Sequence, residues 1–315
     1  MDDASTPSGR SISLTPLELP GWLEFNTWRT GLEAIRFSAA PGGGPEVRAV
    51  FYVDRRGRLK LPPNNPFMPV VFESARHRPS GRTWEWLTAA APLVEEMRRR
   101  GVANDLCLPP DVEDVRPWRW RGFLVGVRYT YCLDLPLDPA LADPGIRKHC
   151  NKAARLGMTV ERVTDVERVV ECLAETEARK GFSLGIGTRE LRVALSLLGP
   201  DSLRMYVCFD SEGRPAASEV VLHAAGIRAA DWLAGTKSRY QDAGHLLRSF
   251  VFDDLASAGA AGIDLCGANL PTVASFKSQW GARLVPTYTV RTPSARAVAR
   301  FVADMIGSRR STAGR

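Results

Sequence analysis

A chain of 315 residues, 44% hydrophobic and 24% charged, has ordinary globular composition and is long enough for two domains. No apolar run nears the ~20 residues that a bilayer span needs. Six scattered cysteines without a CxxC pair, four separated histidines without HExxH, and no G-x-S-x-G turn argue against a zinc site, a Cys–His nucleophile and a hydrolase elbow. The net charge of +7 suits a polyanionic partner such as RNA, or an acidic substrate.

The polar, Pro-interrupted start has neither the basic nor the apolar region of a signal peptide. A cytoplasmic protein is therefore expected, with residues 1–13 and 308–315 as mobile tails. "EVRAVFYVDRRGRLKLPPNNPF" reads as a strand, a turn and a short strand. "RTWEWLTAAAPLVEEMRRRG" (82–101) has helical spacing and ends in Arg98, Arg99, Arg100 and Gly101, a basic last turn followed by a glycine stop. "NDLCLPP" is a short buried strand, and 120–135 a longer, aromatic one. The proline-rich connector "PLDPALADPG" then marks the passage to a second half. In it Asp143 is placed to cap a helix opened by Pro144.

On that helix, Arg147, Lys148, Lys152 and Arg155 fall within about 140° of one another at 100° per residue. Ile146, Cys150 and Ala153 point the other way. No acidic residue between Arg147 and Met158 neutralises the basic stripe, which suits phosphate contact. Next come helices near 165–180 and at 188–199, then strands "LRMYVCFD", "AASEVVLHAAG" and "IRAADWLAGTK" as an antiparallel meander. "HLLRSFVFDDLASAGAAG" is a helix and "IDLCG" a strand. In "ANLPTVASFKSQWGARLVPTYTV" (268–290), Phe276 and Lys277 lie on a short helical segment before a last strand.

The order of these elements, with "GFLVGVRYTYCLDL" (122–135), "IRKHCNKAARLGMTVERV" (146–163), "ASEVVLHAAGIRAADWLAGT" (217–236) and "GIDLCGANLPTVASFKSQWGARL" (262–284), resembles the GCN5-related acetyltransferase (GNAT) fold. More closely it resembles the FemAB-like branch. The F-K-x-x-[FW]-G-A segment is the most specific piece, and residues 20–120 match only in layout. The resemblance implies an α/β (α+β) fold of two tandem GNAT-like domains with mixed, largely antiparallel sheets. We place them at 14–135 and 136–307, the second carrying the transfer site. It implies an acyltransferase that moves an aminoacyl group from aminoacyl-tRNA to an amine or hydroxyl, with no further cofactor and no metal.

The donor is argued from "RYQDAG" (239–244). An acyl-CoA cradle here needs [Q/R]-x-x-G-x-[G/A], so that backbone N–H groups and the helix dipole hold a pyrophosphate. Arg239 and Gly244 fit, but Asp242 replaces the first glycine. Two like charges about 4 Å apart repel by roughly 4 kcal/mol at an effective dielectric near 20, which weighs against CoA. Asp242 is expected instead to cap the helix that follows.

Lys277 takes the family position at the transfer site, there to stabilise the tetrahedral oxyanion or to contact the terminal adenosine phosphate of the tRNA. Phe276 and Trp280 either wall the site, stacking on a base, or pack in a core. Asp264 is the chosen general base, with Asp231 and Glu219 also in view. Arg239 and Tyr240 are expected in the donor pocket, Arg128 and Tyr129 toward the acceptor, and the 147–155 stripe on RNA. The acceptor is a small molecule, as in antibiotic pathways, or a peptidoglycan precursor. An acyl-CoA-dependent N-acyltransferase and a non-catalytic RNA-binding or assembly module are the competing readings.

Overall fold

The computed structural model describes residues 15–293. The expected tails, and the end of the second expected domain, lie outside the described residues.

Two sheets organise the described residues. The smaller is antiparallel, in the order β1 (Glu33–Ala39), β2 (Val47–Val53), β3 (Val70–Phe72). Helix α2 (Pro79–Arg100) packs on it through Trp86, Leu93 and Met97, against Val47 and Phe51. It ends as its sequence requires, at Gly101 with φ 74°, a conformation that glycine adopts without a Cβ clash. Helix α1 (Pro20–Thr30) precedes this sheet and was not read from the sequence. Pro20 opens it and Gly31, in the left-handed region, closes it, the usual placement of those residues at helix ends.

The larger sheet has eight strands in the order β4-β11-β5-β10-β9-β8-β7-β6. These are β4 (Leu106–Cys107), β5 (Leu124–Asp134), β6 (Thr159–Val163), β7 (Leu203–Phe209), β8 (Pro215–Leu222), β9 (Arg228–Thr236), β10 (Gly262–Asp264) and β11 (Arg283–Arg291). Strands β7, β8 and β9 form the expected meander. Strand β5, which precedes residue 136, lies between β10 and β11, which come late in the chain. Hydrogen bonding is therefore continuous across the expected domain boundary.

Helices α4 (Pro144–Arg155) and α7 (Ala243–Ser257) cover one face of the large sheet, around Tyr206, Leu247, Phe252 and Trp280. Helices α5 (Val166–Lys180) and α6 (Thr188–Ser202) cover the other, with α1, around Trp22, Phe25, Leu173 and Trp232. Asp143 caps α4 as expected, its side chain accepting from the Gly145 N–H at 2.6 Å. Short helices α3 (Arg116–Trp120) and α8 (Pro271–Ser278) complete the set.

Candidate active site

The site begins with a gap in the large sheet. Strands β9 and β10 are its one parallel pair among the described residues, matched only over 228–230 and 262–264. Beyond Ala230, β9 runs on to Thr236 without a strand on that side. On the other edge of β9 there is a register shift, between Val220 and Val221 of β8. It puts Trp232 and Leu233 on the same face of β9, both in the core under α1 and α5, which is what an extra residue in one strand does. Asp231 is left facing α7.

There it enters a buried ionic group. Arg248 of α7 donates from Nη2 to Asp231 Oδ2 at 2.8 Å, and the same nitrogen lies 3.2 Å from Glu219 Oε2. All three residues are at most 5% exposed. Burial pushes the Glu219 carboxyl up to about 7, against the pull of Arg248. Burial alone would lower the Arg248 guanidinium, but Glu219 and Asp231 hold it above its ordinary value. The Phe276 ring lies 5.6 Å from the guanidinium carbon, within cation–π range. Phe276 also meets the ring of His245, 4.9 Å away, at the start of α7.

Lys277 is buried rather than open to solvent. Its Nζ donates to the carbonyls of Leu265, Cys266 (3.2 Å) and Gly267 (3.1 Å), and lies 4.0 Å from Asp231 Oδ2. An ammonium has three protons, and each has a carbonyl. The turn after β10 is thus tied down by Lys277. Asp264, just before it, accepts on Oδ1 from Thr130 Oγ1 (2.5 Å) and from the Cys266 N–H (2.8 Å). Burial raises its pKa, as suits a proton acceptor.

On the other side of the turn, toward the N-terminal half, lies a cavity of about 320 Å³. Arg128, Tyr129, Thr130, Asp264, Cys266 and Trp232 line it from the sheet, and Asn64, Asn65 and Phe67 from the segment before β3. The sequence expectation for Arg128 and Tyr129 thus falls on the same cavity as Asp264. No motif announced Asn64 and Asn65; only the packing of a distant loop brings them there.

The remaining expected residues separate. Trp280 is 1% exposed and meets Phe252 edge-on at 5.1 Å, so it lies in the core. The Tyr240 hydroxyl donates to Asp210, and Arg239 stacks on the Tyr240 ring at 4.6 Å. Asp242 does not cap α7: its side chain makes no cap hydrogen bond. It turns to α4 instead, where the Lys152 Nζ is 2.7 Å from Oδ2 and the His149 Nδ1–H donates to Oδ1 at 2.6 Å. Hydrogen bonds from Lys152 and then His149 hold Asp242 below the ordinary aspartate range. Arg147, Lys148, Lys152 and Arg155 are all exposed, but Lys152 is neutralised by Asp242, an acid distant in sequence.

Residues 145–278 match the model of the acetyltransferase (GNAT) domain family. The gap between β9 and β10 lies inside the matched stretch. Among solved structures, FemX is similar at 13% identity over 89% of this chain and 97% of that one, with a TM-score of 0.61. The C-terminal domain of a putative lysylphosphatidylglycerol synthetase from Agrobacterium fabrum is similar at 14% identity, over 90% of each chain, with a TM-score of 0.58. L-PGS from Bacillus licheniformis is similar at 14% identity, over 96% of this chain and 99% of that one, with a TM-score of 0.55. No curated protein matches the sequence. These likenesses show that the chain has the GNAT fold.

Proposed function

We propose that this protein is an aminoacyltransferase that moves an aminoacyl group from aminoacyl-tRNA to the amine of a small acceptor. The observation that carries the reading is Asp242. A carboxylate stands at the head of α7 where a pyrophosphate cradle would need glycine, fixed by Lys152 and His149. The exposed Arg147, Lys148 and Arg155 on neighbouring α4 offer charge to a nucleic-acid backbone.

An ester on tRNA is already activated, so the chemistry needs placement and charge rather than a covalent enzyme intermediate. The acceptor nitrogen attacks the ester carbonyl and a C–N bond forms. Asp264 takes the proton that nitrogen gives up. The C–O bond to the ribose then breaks, and the proton passes to the departing ribose oxygen. Lys277 is the cation of the site. It stabilises the oxyanion by exchanging one of its three carbonyl partners for the developing charge. Phe276, over Arg248 and beside the head of α7, walls the donor side.

The test is transfer of label from a mixed pool of charged tRNAs to a panel of amines, with labelled acyl-CoA in parallel. Label reaching an amine from tRNA supports the reading. Turnover of acyl-CoA alone makes the protein a CoA-dependent N-acyltransferase. RNA binding without transfer from either donor makes it a non-catalytic module.

A further inference from the structure

The cavity beside Asp264 holds two opposite charges that do not satisfy each other. The Arg128 side chain is exposed, with no hydrogen bond or ion pair to any described residue. Asp264 is 4% exposed; Oδ1 takes both of its hydrogen bonds and Oδ2 accepts none from the described residues. The third charged group on the wall, Asp105, is already paired with Arg291, whose Nη2 donates to its Oδ2 at 2.6 Å.

The strand register sets the spacing. Thr130, which bonds Asp264, and Arg128 are two residues apart on β5 and so share a face, about 7 Å apart along the strand. A buried carboxylate oxygen and a free guanidinium therefore look into one space from neighbouring points. A buried carboxylate oxygen is costly without a partner, and Asp264 Oδ2 has none among the described residues, while the exposed Arg128 guanidinium is free to turn to an anion in the cavity.

We propose that the acceptor is a small amine that also carries an anionic group, a carboxylate or a phosphate. Its ammonium meets Asp264 Oδ2 and its anion meets Arg128. The guanidinium fork suits either oxyanion, since both accept two parallel N–H donors. On the opposite wall Asn65 is committed, its Oδ1 accepting from Trp22 Nε1 and its Nδ2 donating to the Phe67 carbonyl. Asn64 Nδ2 donates to the Leu184 carbonyl, so of the two amides the Asn64 side-chain oxygen is the group without a partner among the described residues. At about 320 Å³ the space is at the lower end for small-ligand sites, which run from roughly 300 to 1,000 Å³. Binding as the ammonium also explains why the base belongs here: Asp264 takes the first ammonium proton and releases it to solvent, which frees the nitrogen to attack and leaves the carboxylate able to take the second proton once the C–N bond has formed.

This inference rests on the acyltransferase reading for its meaning, but its test does not need turnover. Calorimetry or ligand-observed NMR on the full chain, without donor, would compare glycine, 4-aminobutyrate and O-phosphoethanolamine with ethylamine and acetate. We expect a zwitterion to bind at least tenfold more tightly than either single-charge compound, and the carboxylate and phosphate arms to identify the anion. Arg128→Gln should erase that advantage and Arg128→Lys should restore part of it. Arg128 is exposed on a strand, so both variants should fold.

Equal binding of ethylamine, an unchanged advantage in Arg128→Gln, or no binding by any of the three zwitterions would overturn the proposal. Arg128-dependent binding with no transfer from tRNA or CoA would instead keep the ligand class and remove the transferase reading. Transfer to uncharged amines at the same rate would do the reverse.

Discussion

Lys152 of α4 grips Asp242 at the head of α7 at 2.7 Å, joining two helices that the sequence reading treated separately. On the proposed reading the pair closes the position where a nucleotide pyrophosphate would otherwise meet backbone N–H groups. Asp242→Gly should therefore raise retention on a CoA matrix by at least severalfold while lowering transfer from charged tRNA. A variant that still fails to retain CoA would show that Asp242 is not what excludes it.

The same pair has a pH signature. The folded-state pKa of Asp242 is depressed, so its contribution to stability is present above the unfolded value, 3.8, and is lost as pH falls below it. With Lys152 well exposed, the effect is modest, about 1 kcal/mol or less. Melting temperatures of wild type and Asp242→Asn should differ at pH 7 and converge toward pH 3.

Lys277→Ala leaves three carbonyls without their donor and Asp231 with Arg248 alone of its two cations. Unsatisfied buried groups cost about 1–3 kcal/mol each before relaxation, so a stability loss of about 2–4 kcal/mol is expected. Transfer should fall at least tenfold. Urea titration beside the transfer assay separates the two effects. A stable Lys277→Ala protein with full activity would return Lys277 to a passive role.

Glu219 behaves in the opposite sense to Asp242. Its folded-state pKa, about 7, lies above the ordinary 4.5. Between those values the unfolded chain has lost the proton and the folded one keeps it, so stability falls as pH rises from about 4.5 to about 7. Glu219→Gln cannot ionise, and its stability relative to wild type should rise across that window. Chemical denaturation at pH 4.5, 6 and 7.5 reads this directly; a constant difference would mean that Glu219 is ionised throughout.

Gly281 has φ 70°, and a Cβ there would stand 2.5 Å from the Leu141 carbonyl oxygen. The left-handed conformation alone costs an L-residue about 1–2 kcal/mol, and the clash is with backbone. Gly281→Ala should destabilise by at least about 2 kcal/mol and loosen the Asp143 N–H to Gln279 carbonyl bond of 2.7 Å that ties the α4 entry to the turn after α8. A lower urea midpoint with unchanged slope would confirm it.

Much of the fold was legible from local signals. Arg98–Gly101 ends α2, Asp143–Pro144 opens α4, and the meander of β7, β8 and β9 follows from apolar patterning between turns. These depend on backbone conformation and hydrophobic period, which neighbouring residues determine. The segment around Phe276 and Lys277 was readable for the same reason, with its helix and strand where the pattern puts them.

What the tertiary structure alone decided is where charges find their partners. Lys152 is unpaired along its own helix yet neutralised by Asp242, 90 residues away. Asp242 reads as a cap yet bonds across to α4. Lys277, expected at a transfer site, is buried with its ammonium on three carbonyls of a turn. Trp280 and Phe276, four residues apart, divide between the core and the half-buried contact with His245 and Arg248 of α7. Periodicity says which way a side chain points along its element. Only packing brings a group from elsewhere in the chain within a few ångströms of it, the range over which hydrogen bonds and ion pairs act.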